Sequence, residues 1–288
     1  MNAPVRSASG APAEAVVVTG ASSGIGQATA VAAAQAGFLA FAGVRNDADA
    51  ARVAALHPNL RTLRIEVTDH ASIAAAAEIV ASSGLALRGV VNNAGIAVAG
   101  PLEFLPVDEL RRQFEVNVFG SVEVAQAFLP RLRRSRGRLV FVGSVSGRLA
   151  VPFIAPYSAS KFALRAIVDA LRVELRPFGI AVILIEPSSV KTPIWQKGRD
   201  SRSASLALLP PQAVEQYRAQ IEAVFRLPES EERSAIPVER VSRAILHALT
   251  ARTPRTHYFL GTARAGSLLA HLPAGLRDRA LRASMKLP

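Results

Sequence analysis

The sequence has no cysteine and few aromatic residues, with one Trp and three Tyr among 288 residues. Without cysteine, disulfides, thiolate catalysis and cysteine-ligated metals are excluded, and we predict a protein of the reducing cytoplasm. The five histidines stand singly, at positions 57, 70, 247, 257 and 271. Because no two of them have the spacing of metal ligands, we predict surface or capping roles for them and no metal site.

Acidic residues are also scarce, 22 against 34 basic ones, which gives a formal net charge of +12. A basic balance favours contact with polyanions or anionic lipid. Part of the excess is local, however, because arginines crowd the end of one predicted helix at positions 131, 133, 134, 136 and 138. We expect a solvated cluster there. Aromatic residues do not interleave with it as they do in single-stranded nucleic-acid binders, so we predict no nucleic-acid partner.

The two ends of the sequence differ from its middle. The first dozen residues lack the apolar core of a signal peptide, and we predict that residues 1–13 form a flexible tail. Residues 263–288 mix leucine with arginine. They could form an amphipathic helix at a membrane surface, but packing on their own domain or on a neighbouring subunit is the favoured interpretation.

Short apolar runs alternate with alanine-rich stretches along residues 14–288. We predict strands at residues 15–18, 38–43, 63–65, 89–91, 139–142, 180–185 and 257–260. Helices are predicted at residues 24–36, 72–81, 107–132, 157–176 and 238–249. Apolar strands separated by helices form parallel sheets that are covered on both faces. The sequence therefore predicts a single α/β domain of the Rossmann type, doubly wound, with a mostly parallel seven-stranded sheet and helices on both faces.

The least regular segment is residues 191–236, which are rich in Ser, Arg, Glu and Pro. It is long for a loop inside a compact domain, so we predict that it contains short helices and forms a lid over the substrate. Its apolar residues indicate either a lipophilic substrate or internal packing, and the sequence favours neither. They are Trp195, Leu206, Leu208, Leu209 and Phe225.

A glycine-rich segment, residues 19–26, follows the first predicted strand and opens the first helix. Glycine lets a ligand approach the backbone closely, and a helix N-terminus attracts an anion through its exposed N–H groups and its dipole. A loop of this kind binds the pyrophosphate of a dinucleotide. We assign that role to Gly20, Ser22, Ser23, Gly24, Ile25 and Gly26.

The second predicted strand is followed by Arg45, and no acidic residue comes before Asp47. At this place an acidic residue binds the ribose 2′-hydroxyl, whereas an arginine accommodates a 2′-phosphate. The sequence therefore favours NADP(H) over NAD(H) as cofactor. The alternative is that Arg45 is only a solvated loop residue.

Tyr157 and Lys161 lie one turn apart on the same face of a predicted helix. A phenol normally titrates near pH ~10, and a neighbouring ammonium group lowers that pKa by favouring the phenolate. Such a tyrosine can exchange a proton with an alcohol or carbonyl oxygen. By itself the pair could be an ordinary helix-surface pair, and the surrounding motifs decide between the two interpretations.

These motifs together resemble the short-chain dehydrogenase/reductase family in its compact single-domain form. The resemblance covers residues 15–193, and residues 157–193 look most like the retinol and hydroxysteroid dehydrogenases. It implies an NAD(P)-dependent oxidoreductase that interconverts a secondary alcohol and a ketone, or a primary alcohol and an aldehyde, by hydride transfer on a lipophilic substrate. A non-catalytic NADP-binding sensor or scaffold with the same fold is the alternative.

The resemblance implies a role for each candidate residue. Tyr157 is the acid–base, Lys161 lowers its pKa and holds the nicotinamide ribose, and Ser144 donates a hydrogen bond to the substrate oxygen. Asn117 holds a water of a proton relay. The other cofactor contacts that it implies are Glu66, Val67, Asn93, Ala94, Gly95, Pro187, Ser188, Val190 and Thr192.

Two positions depart from the family pattern. Glu66 stands where Asp is usual, so the backbone of Val67 is the safer expectation. Ser188 stands where Gly is usual, and it can fill that place only if its backbone angles are ordinary. Family members commonly associate through the two helices predicted at residues 107–132 and 157–176, so we also expect a homodimer or homotetramer.

Overall fold

The chain forms one parallel sheet of seven strands in the computed structural model, which describes residues 12–192, 209–222, 235–285 and 287. The strands are β1 Glu14–Val18, β2 Leu39–Val44, β3 Leu60–Arg64, β4 Ala86–Asn92, β5 Arg138–Val142, β6 Ala181–Pro187 and β7 His257–Leu260. Their order is β3-β2-β1-β4-β5-β6-β7, and all neighbours are parallel. The direction of winding reverses between β1 and β4, and doubly wound sheets bind their ligands at the carboxyl ends of the strands at this point. The predicted fold class is confirmed.

Helices cover both faces of the sheet. They are α1 Gly24–Gln35, α2 Asp47–Ala54, α3 His70–Ser82, α4 Val107–Phe114, α5 Gly120–Ser135, α6 Ala155–Glu174, α7 Pro211–Gln216, α8 Val238–Thr250, α9 Ala263–Leu269 and α10 Ala274–Met285. On one face, Val16 and Val18 of β1 pack with residues of α1 and α8. On the other face, Val17 packs with residues of α3, α5 and α6. Because alternate residues of each central strand are buried on opposite faces, these strands are apolar throughout.

Helix α2 was not predicted, and β3 begins three residues earlier than predicted. Asn46 caps α2 by accepting a hydrogen bond from the backbone N–H of Asp49, at 2.8 Å. Strand β3 lies at the edge of the sheet, and two of its five residues are exposed. Hydrophobic patterning is weak in both elements because neither is buried on two sides.

The continuous helix predicted over residues 107–132 is wrong. Helices α4 and α5 are separated by one π-helical turn, Glu115–Phe119, and Asn117 lies at its centre. Asn117 Oδ1 accepts a hydrogen bond from Ile96 N at 2.9 Å, and its Nδ2 donates to Ile96 O and Ser160 Oγ, each at 3.1 Å. A π-helical turn inside an α-helix is frequent at functional sites, and helical periodicity does not reveal it.

The prediction of a solvated arginine cluster is wrong for Arg138. Its side chain is buried, and its guanidinium donates hydrogen bonds to the carbonyl oxygens of Ala248 and Ala251 at the end of α8. Burial, with a contribution from Arg88, lowers the pKa of Arg138 to about 10. A cation is favourable at a helix C-terminus, so this arginine joins α8 to the sheet.

Residues 263–285 form α9 and α10. Helix α9 packs on β7 and on the turn that follows β5, and α10 buries Leu281 and Met285. Three leucines of this region stay exposed, namely Leu268, Leu272 and Leu276. In the described part of the chain, no helix combines the length and the apolar character that crossing a membrane requires.

Candidate active site

The glycine-rich loop joins β1 to α1 at the carboxyl edge of the sheet. Gly20 and Gly24 have φ angles of +62° and +56°, which favour glycine. A Cβ on Gly26 would lie 2.3 Å from the carbonyl oxygen of Gly20, so a larger residue cannot fit there. Ser23 forms no side-chain cap, which leaves the first-turn amides of α1 available to an anion. The loop therefore fits a dinucleotide pyrophosphate.

Residues at the end of β4 hold this loop in place. Thr19 Oγ1 accepts hydrogen bonds from the backbone N–H groups of Asn93 and Ala94, at 3.0 and 3.1 Å. Asn93 Nδ2 donates to the carbonyl oxygens of Thr19 and Gly20, at 3.0 and 3.1 Å. Asn93 and Ala94, two of the predicted cofactor residues, thus lie directly against the phosphate loop.

Three more of the predicted cofactor residues, Gly95, Ser22 and Ile25, lie in the loop or close to it. Gly95 is next to Asn117, because a Cβ on it would lie 3.2 Å from Asn117 Oδ1. Ser22 is half-buried in the loop, and Ile25 packs against the core beneath it. The loop is therefore supported by the sheet and by the start of α1.

Arg45 and Glu66 lie together at the carboxyl ends of β2 and β3. The distance from Arg45 Nη1 to Glu66 Oε2 is 3.8 Å, and the side chains are 69% and 38% exposed. Because an exposed pair of this kind contributes little, Arg45 can exchange the carboxylate for a phosphate. Val67 is buried beside them, and a Cβ on Gly120 would lie 2.5 Å from its carbonyl oxygen. Close packing of α5 fixes the Val67 backbone.

Arg52 is a residue of this region that the sequence analysis missed. Its guanidinium donates to the carbonyl oxygen of Ser22 at 2.6 Å and to Asp49 Oδ1 at 2.5 Å. It therefore ties α2 to the phosphate loop. Since α2 itself was not predicted, the sequence offered no reason to place Arg52 there.

Ser188 follows β6 and has ordinary backbone angles, since it is not among the described non-glycine residues with positive φ. Its N–H donates to the carbonyl oxygen of Leu260 at 3.1 Å, and its Oγ accepts from Thr262 N at 3.3 Å. Gly261 makes room for the hydroxyl, because a Cβ there would lie 2.2 Å from Ser188 Oγ. The departure from the family pattern is therefore accommodated without strain.

The segment after Ser188 is held by a short pairing with residues near α8. Val190 and Ile236 form an isolated parallel bridge, and Lys191 N donates to Ile236 O at 3.0 Å. Pro187 is buried at the end of β6. Thr192 is half-buried and is the last residue described before residue 209. The residues predicted to bind the nicotinamide thus form one segment that begins at the end of β6, and hydrogen bonds to Ile236 hold its backbone.

Lys161 is a buried cation. Its side chain extends from α6 to the end of β5, where Nζ donates to the carbonyl oxygen of Val142 at 2.8 Å. Nζ also lies 5.7 Å from the centroid of the Tyr157 ring. Burial lowers the pKa of Lys161 to about 8. The structure therefore brings the phenol and a tunable ammonium group together on one face of α6.

Ser144 and Asn117 approach the same part of α6. Ser144 follows β5, is half-buried and caps a 3₁₀ turn, Val145–Gly147, by accepting from Ser146 N at 3.1 Å. Asn117 donates to Ser160 Oγ, which in turn donates to the Tyr157 carbonyl oxygen at 2.7 Å. The four predicted catalytic residues thus lie at the carboxyl edge of β4 and β5 and at the start of α6.

The described part of the predicted lid packs on the loops after β4 and β5. The ring of Tyr217 meets Phe104 and Phe153 edge-on, each at 6.0 Å between centroids, and its hydroxyl donates to Glu103 Oε2 at 2.8 Å. Leu209 is buried in a small cluster with residues of this segment. The other apolar lid residues of the sequence analysis, Trp195, Leu206, Leu208 and Phe225, lie outside the described residues.

The predicted surface role is wrong for His257. Its Nδ1 lies 2.9 Å from Glu186 Oε2, and its side chain is 19% exposed. His257 joins a cluster with Arg148, Asp169 and Glu186. These residues come from the turn after β5, from α6, from β6 and from β7, so sequence spacing gave no sign of the cluster. In the described ranges, no group of three or more His, Cys, Asp or Glu residues is placed to hold a metal ion.

Comparison with known proteins agrees with this geometry. Residues 14–203 match the family model described as short chain dehydrogenase. The chain is 36% identical over 252 residues to the NADPH-dependent 3-dehydrocapnine reductase of Ornithobacterium rhinotracheale, covering 84% of this chain and 86% of that protein. It is 36% identical over 279 residues to Retinol dehydrogenase 5 of Homo sapiens, covering 92% and 87%.

The fold is shared with a solved short chain dehydrogenase from Burkholderia cenocepacia J2315 in complex with NADP. The TM-score is 0.70 at 26% identity, over 96% of this chain and 99% of that one. The resemblance inferred from the motifs is confirmed, including the likeness to a retinol dehydrogenase. The chain belongs to the short-chain dehydrogenase family and is an oxidoreductase that interconverts an alcohol and a carbonyl compound.

Proposed function

We propose that this chain is an NADP(H)-preferring dehydrogenase/reductase that acts on a lipophilic ketone or secondary alcohol, or on the aldehyde and primary alcohol equivalents. The observation that carries the proposal is the buried Lys161, whose ammonium group donates to the Val142 carbonyl oxygen and lies 5.7 Å from the centre of the Tyr157 ring. A buried cation next to a phenol has a chemical use in proton transfer, and a packing role alone does not require one.

Four residues of the chain have separate roles in the reduction. Tyr157 gives its hydroxyl proton to the substrate oxygen, and Lys161 stabilises the phenolate that remains. Ser144 donates a hydrogen bond to the same oxygen as negative charge develops there. Asn117, anchored in the π-helical turn, orders the route by which a proton returns to Lys161. The bound dinucleotide supplies the hydride, and oxidation follows the reverse course.

Arg45 supports the preference for NADP(H). Its guanidinium is exposed at the end of β2, where the 2′-substituent of the adenosine ribose would lie, and Glu66 holds it only weakly. One relative is named an NADPH-dependent reductase, and one structural neighbour is complexed with NADP. Both names support NADP(H) as the cofactor of this chain.

The apolar character of the substrate is supported by the lid. Phe104 and Phe153 meet Tyr217 at the carboxyl edge of the sheet, and Phe153 lies in the loop between Ser144 and helix α6. Retinol, in the name of one relative, is a lipophilic alcohol. An aromatic wall of this kind favours a hydrocarbon-rich substrate over a sugar.

We also propose a homodimer or homotetramer in the cytoplasm. Phe119, Phe162 and Val173 are exposed by 52%, 38% and 70% on the π-helical turn and α6. Exposed apolar residues on neighbouring helices support burial against a second copy. Light scattering after gel filtration gives the molar mass, and a monomer at micromolar concentration would contradict this part of the proposal.

The activity is tested with a panel of ketones, aldehydes and alcohols that includes steroids and retinoids, followed by NADPH absorbance. We expect turnover of at least one lipophilic carbonyl compound and lower turnover with NADH. NADPH binding without turnover of any member would instead favour the sensor interpretation.

A further inference from the structure

Glu186 is a buried carboxylate at the carboxyl end of β6, with a side chain 1% exposed. Arg148 pairs with it through two hydrogen bonds, from Nε to Oε1 at 2.6 Å and from Nη2 to Oε2 at 3.0 Å. Only 12% of the Arg148 side chain is exposed. A bidentate pair of this kind fixes the relative orientation of its two groups as well as their distance.

Two residues of β7 lie against this pair, and one of them, His257, also contacts α6 through Asp169 at 3.4 Å. His257 Nδ1 lies 2.9 Å from Glu186 Oε2, and the Phe259 ring stacks on His257 and lies 4.8 Å from the Arg148 guanidinium carbon. Burial alone would raise the pKa of Glu186, but hydrogen bonds from His257 and Arg148 hold it below its usual value. Glu186 therefore stays ionised, and the pair is a true ion pair.

The position of the pair in the chain connects two parts of the active site. Arg148 ends the 3₁₀ turn that begins at Ser144, and its backbone N–H donates to Val145 O at 2.9 Å. Glu186 comes directly before Pro187 and Ser188, where the proposed nicotinamide-binding segment begins. The ion pair thus links the turn that carries Ser144 to the strand end that carries this segment.

The same turn is fixed on its other side by α6. A Cβ on Gly147 would lie 2.8 Å from the carbonyl oxygen of Lys161, so backbone meets backbone at this point. The turn therefore packs directly against the backbone of α6 on one side and is joined to β6 by the ion pair on the other. With both in place, Ser144 has little freedom to shift relative to Pro187.

We propose that Arg148 is a positioning residue for hydride transfer. Through Glu186 it sets the distance between Ser144, which holds the substrate oxygen, and the segment that holds the nicotinamide. This inference rests on the proposed function. Reactions that depend on precise approach lose about 100-fold in rate when a reacting group is misplaced by about 1 Å, so a loosened link should lower kcat more than it weakens binding.

A second Arg–Glu pair, between the central strands β1 and β4, serves as the control. Arg88 Nη1 lies 3.6 Å from Glu14 Oε1, with side chains 26% and 18% exposed, and Arg88 Nε donates to Leu249 O at 2.7 Å. This second Arg–Glu pair also joins separate elements, but it lies near the amino ends of the strands. A purely structural role would lower the melting temperature for a variant of either pair and would leave the isotope effect and the emission of bound NADPH unchanged.

The test compares Arg148→Lys with Arg88→Lys, and uses Glu186→Gln as a second variant at the site. Lysine keeps the charge, so Glu186 is not left as a buried unpaired anion, but it cannot form the bidentate pair. Four quantities are measured for each protein: the melting temperature, the Kd for NADPH, kcat with its isotope effect for NADPH deuterated at the transferred position, and the fluorescence of bound NADPH.

For Arg148→Lys we expect kcat to fall about 10-fold or more, with Kd for NADPH changed less than about 3-fold. The isotope effect on kcat should grow, because hydride transfer becomes slower than the other steps. The emission of bound NADPH should weaken as the nicotinamide is held less firmly. Glu186→Gln should show the same pattern, and Arg88→Lys should leave kcat, isotope effect and emission as in the wild type.

Equal losses of kcat in Arg148→Lys and Arg88→Lys would overturn the proposal. So would a loss of kcat in Arg148→Lys with unchanged isotope effect and unchanged emission, since that pattern indicates only fewer folded molecules. A wild-type protein that turns over no carbonyl compound would contradict the proposed function. In that case unchanged NADPH emission in Arg148→Lys would still overturn the positioning role.

Discussion

The ammonium group of Lys161 lies 2.8 Å from the carbonyl oxygen of Val142, so helix α6 and strand β5 meet through a buried cation that donates to a neutral backbone group. A neutral oxygen offsets the cost of burying an ammonium group only in part. The pKa of Lys161 is therefore lowered to about 8, within reach of ordinary solution pH. Two predictions depend on that value.

The first prediction concerns the pH dependence of reduction. Lys161 is charged below its pKa of about 8 and neutral above it. Since the reduction needs the cation beneath Tyr157, we expect kcat for ketone reduction to fall as pH rises through about 8. The measurement is kcat against pH at saturating NADPH and ketone. A kcat that stays constant to about pH 10 would contradict the role of Lys161, and Lys161→Arg, charged throughout, should lose the alkaline fall.

The second prediction concerns stability. The folded pKa of Lys161 is about 8 and the ordinary value is 10.5, so between these values the unfolded chain binds more protons than the folded one. Stability from this group must therefore rise with pH across that window, by up to ~3 kcal/mol. Urea unfolding near both limits, compared with Lys161→Met, isolates the effect. The variant should lack this rise, and identical slopes in both proteins would show that folding does not lower the pKa of Lys161.

The third prediction concerns cofactor choice. Arg45→Ala removes the cation proposed to bind the 2′-phosphate, and a hydrogen bond to a charged group contributes about 1.5–3 kcal/mol. We expect the Kd for NADPH to rise about 10-fold or more, with little change for NADH. Arg61→Ala is the control, because Arg61 is exposed near the start of β3 and donates to the nearby carbonyl oxygens of Pro58 and Leu60. Equal losses for both cofactors would refute the assignment of Arg45.

The fourth prediction concerns the phosphate loop. Gly26→Ala places a methyl group 2.3 Å from the Gly20 carbonyl oxygen, and overpacking of this kind costs about 1–3 kcal/mol. We expect a lower free energy of unfolding together with a large loss of dinucleotide affinity. The matched variant is Gly275→Ala in α10, where a Cβ has no neighbour within 4 Å. That variant should be as stable as the wild type or slightly more so.

The sequence predicted the sheet and the site motifs because each has a strong local signal. Strands β1, β4 and β5 are nearly continuous apolar runs. The residues of the glycine loop are close together in the sequence, as are Tyr157 and Lys161, so their spacing can be recognised without the fold. Helix α2 and edge strand β3 carry weaker patterns. The π-helical turn around Asn117 was missed because helices lie on both sides of it and no residue type in the sequence marks such a turn.

The errors on Arg138 and His257 have a different cause. Both are polar residues drawn away from the surface by partners that are distant in the sequence: Arg138 is buried against the end of α8, and His257 is half-buried against Glu186. A polar residue seen in the sequence is expected at the surface, and only the fold shows which ones have buried partners. The link between Arg148 and Glu186 was missed for the same reason.

The most direct test of the account is Tyr157→Phe, measured as kcat for a carbonyl compound that the wild type reduces. The phenyl ring keeps its place above Lys161, so we expect the Kd for NADPH to change less than about 3-fold while kcat falls about 100- to 10,000-fold. A variant that binds NADPH and retains kcat within a few-fold of the wild type would contradict proton transfer by Tyr157 and with it the proposed mechanism.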